Sequence, residues 1–286
     1  MPIYQYYLYN DQFIKKEDFA LPFPNRAFLY GDAIFETIRA NGTRIAFAED
    51  HLIRAQHGLT SLKMEIPDFL KDKLSFEKKL SGLLNKSKLL KGARLRITFF
   101  REANGKYTPD KNTTGFLIEA NSLQNESYQL NREGIHLGTF EEMEKSITPL
   151  SNLKSTNAHL YTLAGIFAKE KKFDDVIIFN EKGKIAECIS SNIFLIKDKT
   201  IMTPPLSSGC VAGITRKQIL KLADAMGFTI IHDHEVEEKH LLMADEIFLT
   251  NTIKGIEWVK AYADKRFYNK KAQLFTEELN YLAFSY

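Results

Sequence analysis

The chain has 286 residues and a formal net charge of +3, and 44% of its residues are hydrophobic, which suffices for one large core or for two domains. So small a charge, without an arginine-rich arm, argues against nucleic acid as a partner. The opening "MPIYQYYLYNDQF" lacks the pattern of a signal peptide, and no apolar run approaches the roughly 20 residues that cross a bilayer. We therefore expect a cytoplasmic protein that binds neither nucleic acid nor membrane.

The first half of the chain alternates strand and helix patterns. Two-residue turn signals at 10–11 and 41–42, each between alternating runs, predict two β-hairpins. Helical periodicity follows over 48–64 and 66–88, and two strand candidates come next, at 93–102 and 115–123. Antiparallel strands with segregated helices predict an α+β fold.

A polar stretch near the middle of the chain, "NSLQNESYQ", separates two parts of different character. We predict an N-terminal α+β domain over 1–120, a linker over 121–129 and a C-terminal domain over 130–286.

In the second half, Lys154 comes directly before a run with helical periodicity. The predicted apolar stripe of that helix consists of Leu160, Leu163, Ala164 and Phe167. Short strands follow in a meander, and Glu187 is placed near the end of one of them.

A glycine-punctuated loop then leads into an amphipathic helix that begins near Gly213 and Thr215. The free N–H groups and partial positive charge of such a helix start can hold a phosphate. The sequence therefore offers an anion site without a Walker-type lysine.

Taken singly, the candidate residues all have ordinary explanations. Lys154 could be a solvated lysine, Glu187 an edge-strand carboxylate, and Arg54 a helical partner of Asp50. Cys188 and Cys210 are too few for a disulfide scaffold and lack metal-ligand spacing. We interpret His232 and His234 in "HDH" as surface histidines and expect no metal site.

Together and in order, these residues resemble a known family. The stretch "ECISSNIFLIKDKTIMTPPLSSGCVAGITR", Glu187 to Arg216, is similar to the signature of class IV pyridoxal-phosphate enzymes. The segments "FLYGDAIFETIRANG", "EDHLIRA" and "ADEIFLTNT" extend the similarity over most of the chain. The resemblance implies a two-domain α+β fold of the D-amino-acid aminotransferase type, with pyridoxal 5'-phosphate in the interdomain cleft. It also implies a homodimer that acts on a small-molecule amine.

The resemblance also assigns roles to individual residues. Lys154 matches the lysine that condenses with the cofactor's aldehyde and then moves protons, and Glu187 matches the carboxylate beside the pyridine nitrogen. The matching phosphate ligands are Arg54, Ile214, Thr215 and Thr252. The residues in positions near the substrate are Tyr30, Arg101, Tyr107 and Asn251.

Two reactions fit these residues. Asn157, at the third position after Lys154 in "KSTN", is typical of 4-amino-4-deoxychorismate lyases and of D-amino-acid aminotransferases. The stretch "LTNTIKGIEWV" resembles the lyases, which release pyruvate and 4-aminobenzoate. Thr252 is the residue more typical of aminotransferases for branched-chain or D-amino acids. We predict the lyase, with the aminotransferase as the alternative and a non-catalytic cofactor-binding module as a more remote one.

Overall fold

The computed structural model describes residues 5–285, which divide into two compact units. The first unit contains the chain up to Ser127 together with Lys154–Asn157, and the second contains Tyr128–Leu153 and Ala158–Ser285. The change at Ser127 falls within the predicted linker, 121–129, although the last strand of the first unit still occupies the first two residues of that stretch.

The first unit contains one antiparallel sheet. Its strands are β1 (Tyr6–Tyr9), β2 (Gln12–Lys15), β3 (Ala33–Asn41), β4 (Arg44–Ile45), β5 (Gly92–Arg101) and β6 (Thr114–Ser122), in the order β2-β1-β6-β5-β3-β4. Both predicted hairpins are confirmed. The β1–β2 turn has positive φ at Asn10 and Asp11, and the β3–β4 turn has φ 59° at Gly42, where glycine avoids the clash of a Cβ atom.

Helices cover this sheet. They are α1 (Arg26–Tyr30), α2 (Ala48–Ser61) and α3 (Lys73–Lys86), with short 3-10 turns at Lys16–Asp18 and Asp68–Leu70. The helix predicted over 66–88 is therefore divided in two. Asp72 is the cause, because its side chain accepts the N–H of Ser75 at 2.8 Å and so caps a new helix at that point.

The second unit contains a nine-stranded mixed sheet. Its strands are β7 (Ile135–Thr139), β8 (Asp175–Phe179), β9 (Ile185–Cys188), β10 (Asn192–Lys197), β11 (Thr200–Met202), β12 (Thr229–Ile231), β13 (Glu246–Asn251), β14 (Gly255–Tyr262) and β15 (Lys265–Arg266). Eight of them follow the order β12-β11-β10-β13-β14-β7-β8-β9, and β15 pairs with β14. Three of the pairings are parallel, β11 with β12, β14 with β7 and β7 with β8.

Four α-helices accompany this sheet: α4 (His159–Lys171), α5 (Ile214–Ala225), α6 (Glu238–Met243) and α7 (Lys270–Phe284). Helix α7 lies outside every element predicted from the sequence. It packs through Phe275, whose ring lies 5.4 Å from that of Phe228 and 5.7 Å from that of Phe248. Within residues 5–285, no helix combines the length and apolar character needed to cross a membrane.

Helix α4 begins later than predicted. Lys154 lies five residues before its first residue, in an extended segment that belongs to the first unit and pairs with β3. The predicted apolar stripe is also partly wrong, because Leu163 is 41% exposed while Ala164 and Phe167 are buried and Leu160 is partly buried.

Candidate active site

Strand β3 fixes the main chain at Lys154 and just after it. The N–H of Phe35 donates to the carbonyl of Lys154 at 2.8 Å, and the N–H of Thr156 donates to the carbonyl of Ala33 at 3.1 Å. These bonds hold the segment extended, which explains why the helix starts only at His159. A lysine at this point has a rigid base and a flexible four-carbon arm.

The amine of Lys154 lies over an aromatic ring of the same unit. Its Nζ is 4.5 Å from the ring centroid of Phe35, and the guanidinium of Arg96 is 3.8 Å from the same centroid. Rings attract cations at such distances, so Phe35 helps to place the Lys154 amine. Neither Phe35 nor Arg96 has a functional signal in the sequence.

Arg54 is held by a buried carboxylate. Its Nε donates to Oε1 of Glu36 at 2.8 Å and its Nη2 donates to Oε2 at 2.6 Å, a bidentate pair between α2 and β3. Nδ1 of His51, also on α2, lies 2.7 Å from Glu36 Oε2. Glu36 and His51 lie in segments that resemble the family, but neither residue was predicted to have a role.

The charges of this cluster shift two pKa values. Burial alone would raise the pKa of Glu36, but the charge and hydrogen bonds of Arg54, with a smaller effect of His51, lower it from 4.5 to about 2. Burial lowers the pKa of His51, although its hydrogen bond to Glu36 opposes this. Near neutral pH the cluster therefore contains an ionised carboxylate and a neutral imidazole.

We expect acid to destabilise the protein through this cluster. Glu36 has a depressed folded-state pKa, so its contribution is full above pH 4.5 and is lost as the pH falls toward about 2. At about 1.4 kcal/mol per pKa unit, this amounts to about 3 kcal/mol. Protonation of His51, whose pKa lies below 6.5, also favours unfolding in acid. Unfolding midpoints in urea between pH 7 and pH 3 measure the effect.

In this series, Glu36→Gln should flatten the pH dependence of the unfolding midpoint below pH 4.5. Glu49→Gln, at an exposed position on α2, should leave it as in the unchanged protein. An undiminished acid dependence in Glu36→Gln would contradict the assignment to Glu36.

Arg101, a predicted substrate residue, is buried and its N–H groups already have acceptors. It pairs with both oxygens of Asp32 and also donates to the carbonyls of Leu62 and Lys63 and to the amide oxygen of Asn112. With all five donors engaged, Arg101 ties β5 to its neighbours. Its contact with a substrate stays a prediction that these bonds do not favour.

The two aromatic substrate candidates, Tyr30 and Tyr107, contact each other within the first unit. The ring centroids of Tyr30 and Tyr107 are 5.6 Å apart, and Tyr107 is 88% exposed. Arg26 lies over the Tyr30 ring at 4.9 Å, and it also donates to Asp32 and to the carbonyls of the loop that carries Tyr107. Tyr30 and Tyr107 thus form one exposed cluster, while their role toward a substrate stays a prediction.

Glu187, in the second unit, is a buried carboxylate on β9 with three partners. Its Oε1 accepts from the ammonium of Lys145 and from the hydroxyl of Tyr161, the latter at 2.7 Å. Its Oε2 accepts from the N–H of Val211 at 2.9 Å. Nζ of Lys145 also donates to Oη of Tyr161 at 2.7 Å, so the three side chains form a closed network.

Lys145 and Tyr161 had no functional signal in the sequence. Lys145 stands among glutamates in the irregular segment "EEMEKSITP", and Tyr161 reads as one more helical residue. Burial, followed by the charge of Glu187, raises the pKa of Tyr161, so its hydroxyl stays a donor. Burial and the same carboxylate raise the pKa of the nearby Cys210 thiol to about 11.

The start of α5 offers unsatisfied donors. Its first intrahelical bond runs from the N–H of Lys217 to the carbonyl of Gly213, so the N–H groups of Ile214, Thr215 and Arg216 precede it. Across the described part of the chain, Oγ1 of Thr215 is one of few buried side-chain oxygens without a hydrogen-bond partner.

Gly213 allows this helix start because a Cβ atom there would lie 2.0 Å from Oδ1 of Asn192. An anion at this point would satisfy both the helix N–H groups and the Thr215 hydroxyl.

Asn251 ends β13, and Thr252 begins the turn that follows. The amide oxygen of Asn251 accepts the N–H groups of Ile253 and Lys254 at 3.1 and 2.9 Å, and its amide N–H donates to Ser191 at 3.0 Å. The carbonyl of Thr252 accepts the hydroxyl of Tyr128 at 3.1 Å. The Asn251 side chain is thus used by the turn, and both residues stay predictions as ligand contacts.

Each unit therefore holds part of the chemistry that the sequence predicts. The first carries Lys154 and Arg54, and the second carries Glu187, Ile214, Thr215 and Thr252. Within the second unit, a buried carboxylate and a helix start with free N–H groups suit a ligand that combines a cationic ring nitrogen with a phosphate. Such a pair of sites is typical of an enzyme that binds a phosphorylated organic cofactor.

The sequence matches the family described as amino-transferase class IV over residues 33–262, and the chain belongs to this family of enzymes. It is 29% identical to the aminodeoxychorismate lyase of Bacillus subtilis, covering 86% of this chain and 83% of that protein. It is 22% identical to the branched-chain-amino-acid aminotransferase of Salmonella typhimurium, covering 90% and 84%.

A solved structure shows the same fold. The branched-chain amino acid aminotransferase from Thermobaculum terrenum, in its PLP form, superposes with a TM-score of 0.84 at 18% identity, covering 98% of this chain and 94% of that one. The α+β fold expected from the sequence is confirmed.

Proposed function

We propose that the chain is a pyridoxal-5'-phosphate-dependent 4-amino-4-deoxychorismate lyase. The observation that carries the cofactor assignment is the buried Glu187 carboxylate together with the orphaned Thr215 hydroxyl at the uncapped start of α5. These two features are complementary to the two charged ends of that cofactor, its ring nitrogen and its phosphate.

In this proposal each residue has one task. When bound, pyridoxal phosphate supplies an electron sink for negative charge at the carbon that bears the substrate's amino group. The amine of Lys154 removes the proton at that carbon. The ring's bond to the enolpyruvate oxygen then breaks, the ring becomes aromatic, and a proton goes to the methylene carbon of the departing enolpyruvate, which becomes pyruvate. Glu187, through Oε2, favours a positive charge on the ring nitrogen. The N–H groups of Ile214 and Thr215 hold the phosphate, with Arg54 and Thr252 as its further ligands.

The choice of the lyase rests on the sequence around Lys154 and after β13. The stretch "LTNTIKGIEWV" resembles lyases, and the Bacillus subtilis relative carries the lyase name. Asn157 in "KSTN" is shared by lyases and D-amino-acid aminotransferases, so it argues only against a branched-chain enzyme. The second candidate, an aminotransferase for branched-chain or D-amino acids, is favoured by Thr252 and by the name of the Salmonella relative. In both reactions Lys154 would remove the same proton, so its geometry does not separate them.

Separate assays distinguish the two reactions. With pyridoxal phosphate and 4-amino-4-deoxychorismate, we expect 4-aminobenzoate, followed by fluorescence, and pyruvate in equal amounts. With leucine or D-alanine and 2-oxoglutarate, we expect no glutamate. Glutamate formation without any 4-aminobenzoate would overturn the lyase and establish the aminotransferase. A small substrate amine is common to both.

We also propose that the protein works as a homodimer in the cytoplasm. Support for the dimer comes from exposed apolar side chains close together in the sequence of the first unit, Leu21, Phe23, Phe28 and Leu29. Sedimentation equilibrium measures the mass in solution, and a monomer at micromolar concentration would contradict the dimer.

A further inference from the structure

Lys145 is a buried cation without a task in the proposed reaction. Its side chain is 8% exposed, and it lies against Glu187, which is 4% exposed. Burying two charges is costly unless each is paired and hydrogen-bonded, so such a pair in a site needs an explanation.

The loop that carries Lys145 does not need the side chain to hold it. The N–H of Lys145 donates to the carbonyl of Phe179 at 2.8 Å, and its own carbonyl accepts the N–H of Glu181 at 3.2 Å. These main-chain bonds attach the loop to the end of β8. The ammonium therefore acts on Glu187 and Tyr161, not on the loop.

The two oxygens of Glu187 are used unequally. Each carboxylate oxygen can accept about two hydrogen bonds. Oε1 accepts two, from Lys145 and Tyr161, whereas in the described structure Oε2 accepts one, from the N–H of Val211. One acceptor position of Glu187 is therefore left, and it is on Oε2.

We propose that Lys145 and Tyr161 are positioning residues that fix Oε1 of Glu187, present Oε2 to the cofactor's ring nitrogen, and weaken the attraction of Glu187 for a protonated ring. This inference rests on the proposed function, because it takes Glu187 as the partner of that nitrogen. In the protein without cofactor, Lys145 supplies the counter-charge that the buried carboxylate requires. When the cofactor binds, the carboxylate is shared between two cations that repel each other.

The test compares two ligands that differ only at the ring nitrogen. Equilibrium dialysis gives the affinities for pyridoxal phosphate and for its 1-deaza analogue, which has C–H in place of the nitrogen. Both carry the same aldehyde and phosphate, so contributions of Lys154 and of the phosphate site cancel in the ratio of the two affinities. The unchanged protein should prefer pyridoxal phosphate.

Lys145→Met should raise this preference by about tenfold or more, because the buried carboxylate then has only the ring nitrogen as a cationic partner. Tyr161→Phe, which removes a neutral donor, should raise it by about two- to threefold. Lys145→Arg keeps the charge and should stay near the unchanged protein. Lys184→Met is the matched control, since Lys184 pairs with the more exposed Glu237 of the same unit.

The outcomes distinguish a wrong role for Lys145 from a wrong proposed function. If pyridoxal phosphate is preferred by the unchanged protein but Lys145→Met leaves the ratio the same or lowers it, the role of Lys145 is wrong while the function stands. If the unchanged protein binds both ligands equally, Glu187 does not hold the ring nitrogen, and the cofactor geometry proposed above falls with this inference. Should Lys145→Met not fold, an unchanged or lowered ratio in Tyr161→Phe would overturn the proposal in the same way.

Discussion

Lys154→Ala is expected to lower kcat by about a thousandfold or more while cofactor affinity changes by no more than about tenfold. The loss follows because the amine that removes the substrate proton is gone, whereas Glu187 and the start of α5, the proposed partners of the ring nitrogen and the phosphate, are unchanged. The fold should survive, since the segment is attached to β3 through the main-chain carbonyl of Lys154, which alanine also has. Steady-state kinetics and equilibrium dialysis give the two quantities.

Two further measurements sharpen this expectation. Lys91→Ala, at an exposed position of the same unit, should leave both kcat and affinity unchanged. Borohydride reduction of the loaded protein, followed by peptide mass analysis, should place the pyridoxyl group on Lys154. A pyridoxyl group on Lys145, the buried lysine beside Glu187, would show that the wrong lysine has been assigned.

The sequence predicted the elements that depend on local signals. The hairpins at 10–11 and 41–42 follow from turn residues between alternating runs, and both form. The helix after Lys154 was placed too early because periodicity does not register a long-range strand pairing: the bonds of Lys154 and Thr156 with β3 hold that segment extended.

Residues of the site were missed for the same reason, because their contacts join positions that are far apart in the sequence. Lys154, Glu187 and Thr215 could be proposed because the motifs around them resemble a family, but a motif names the residues along the chain and not their partners in space. Lys145 meets Glu187 across 42 positions of sequence, and Glu36 meets Arg54 across 18. Nothing in the composition of either segment distinguishes such a buried ion pair from a solvated charge.

Glu187→Gln is expected to lower kcat by about a hundredfold or more while retaining the cofactor. A neutral amide no longer favours a positive charge at the ring nitrogen, so the electron sink weakens, whereas the phosphate contacts are unaffected. The amide also fits its surroundings poorly. Its oxygen can accept from Lys145 and Tyr161 on one side, but its NH2 group then faces the N–H of Val211, which is itself a donor.

The same substitution leaves Lys145 as a buried cation without a counter-charge, which predicts a loss of stability in addition to the loss of turnover. Removing one partner of a buried pair costs about 3–5 kcal/mol, so the unfolding midpoint of Glu187→Gln should fall clearly. Adding Lys145→Met removes the uncompensated charge and should restore much of the stability, but kcat should stay low, because the carboxylate is still missing. Glu237→Gln, which breaks the more exposed pair with Lys184, is the control and should change neither quantity by much. Recovery of kcat in the double variant would show that Glu187 serves only to neutralise Lys145, and full activity of Glu187→Gln alone would remove it from the reaction altogether.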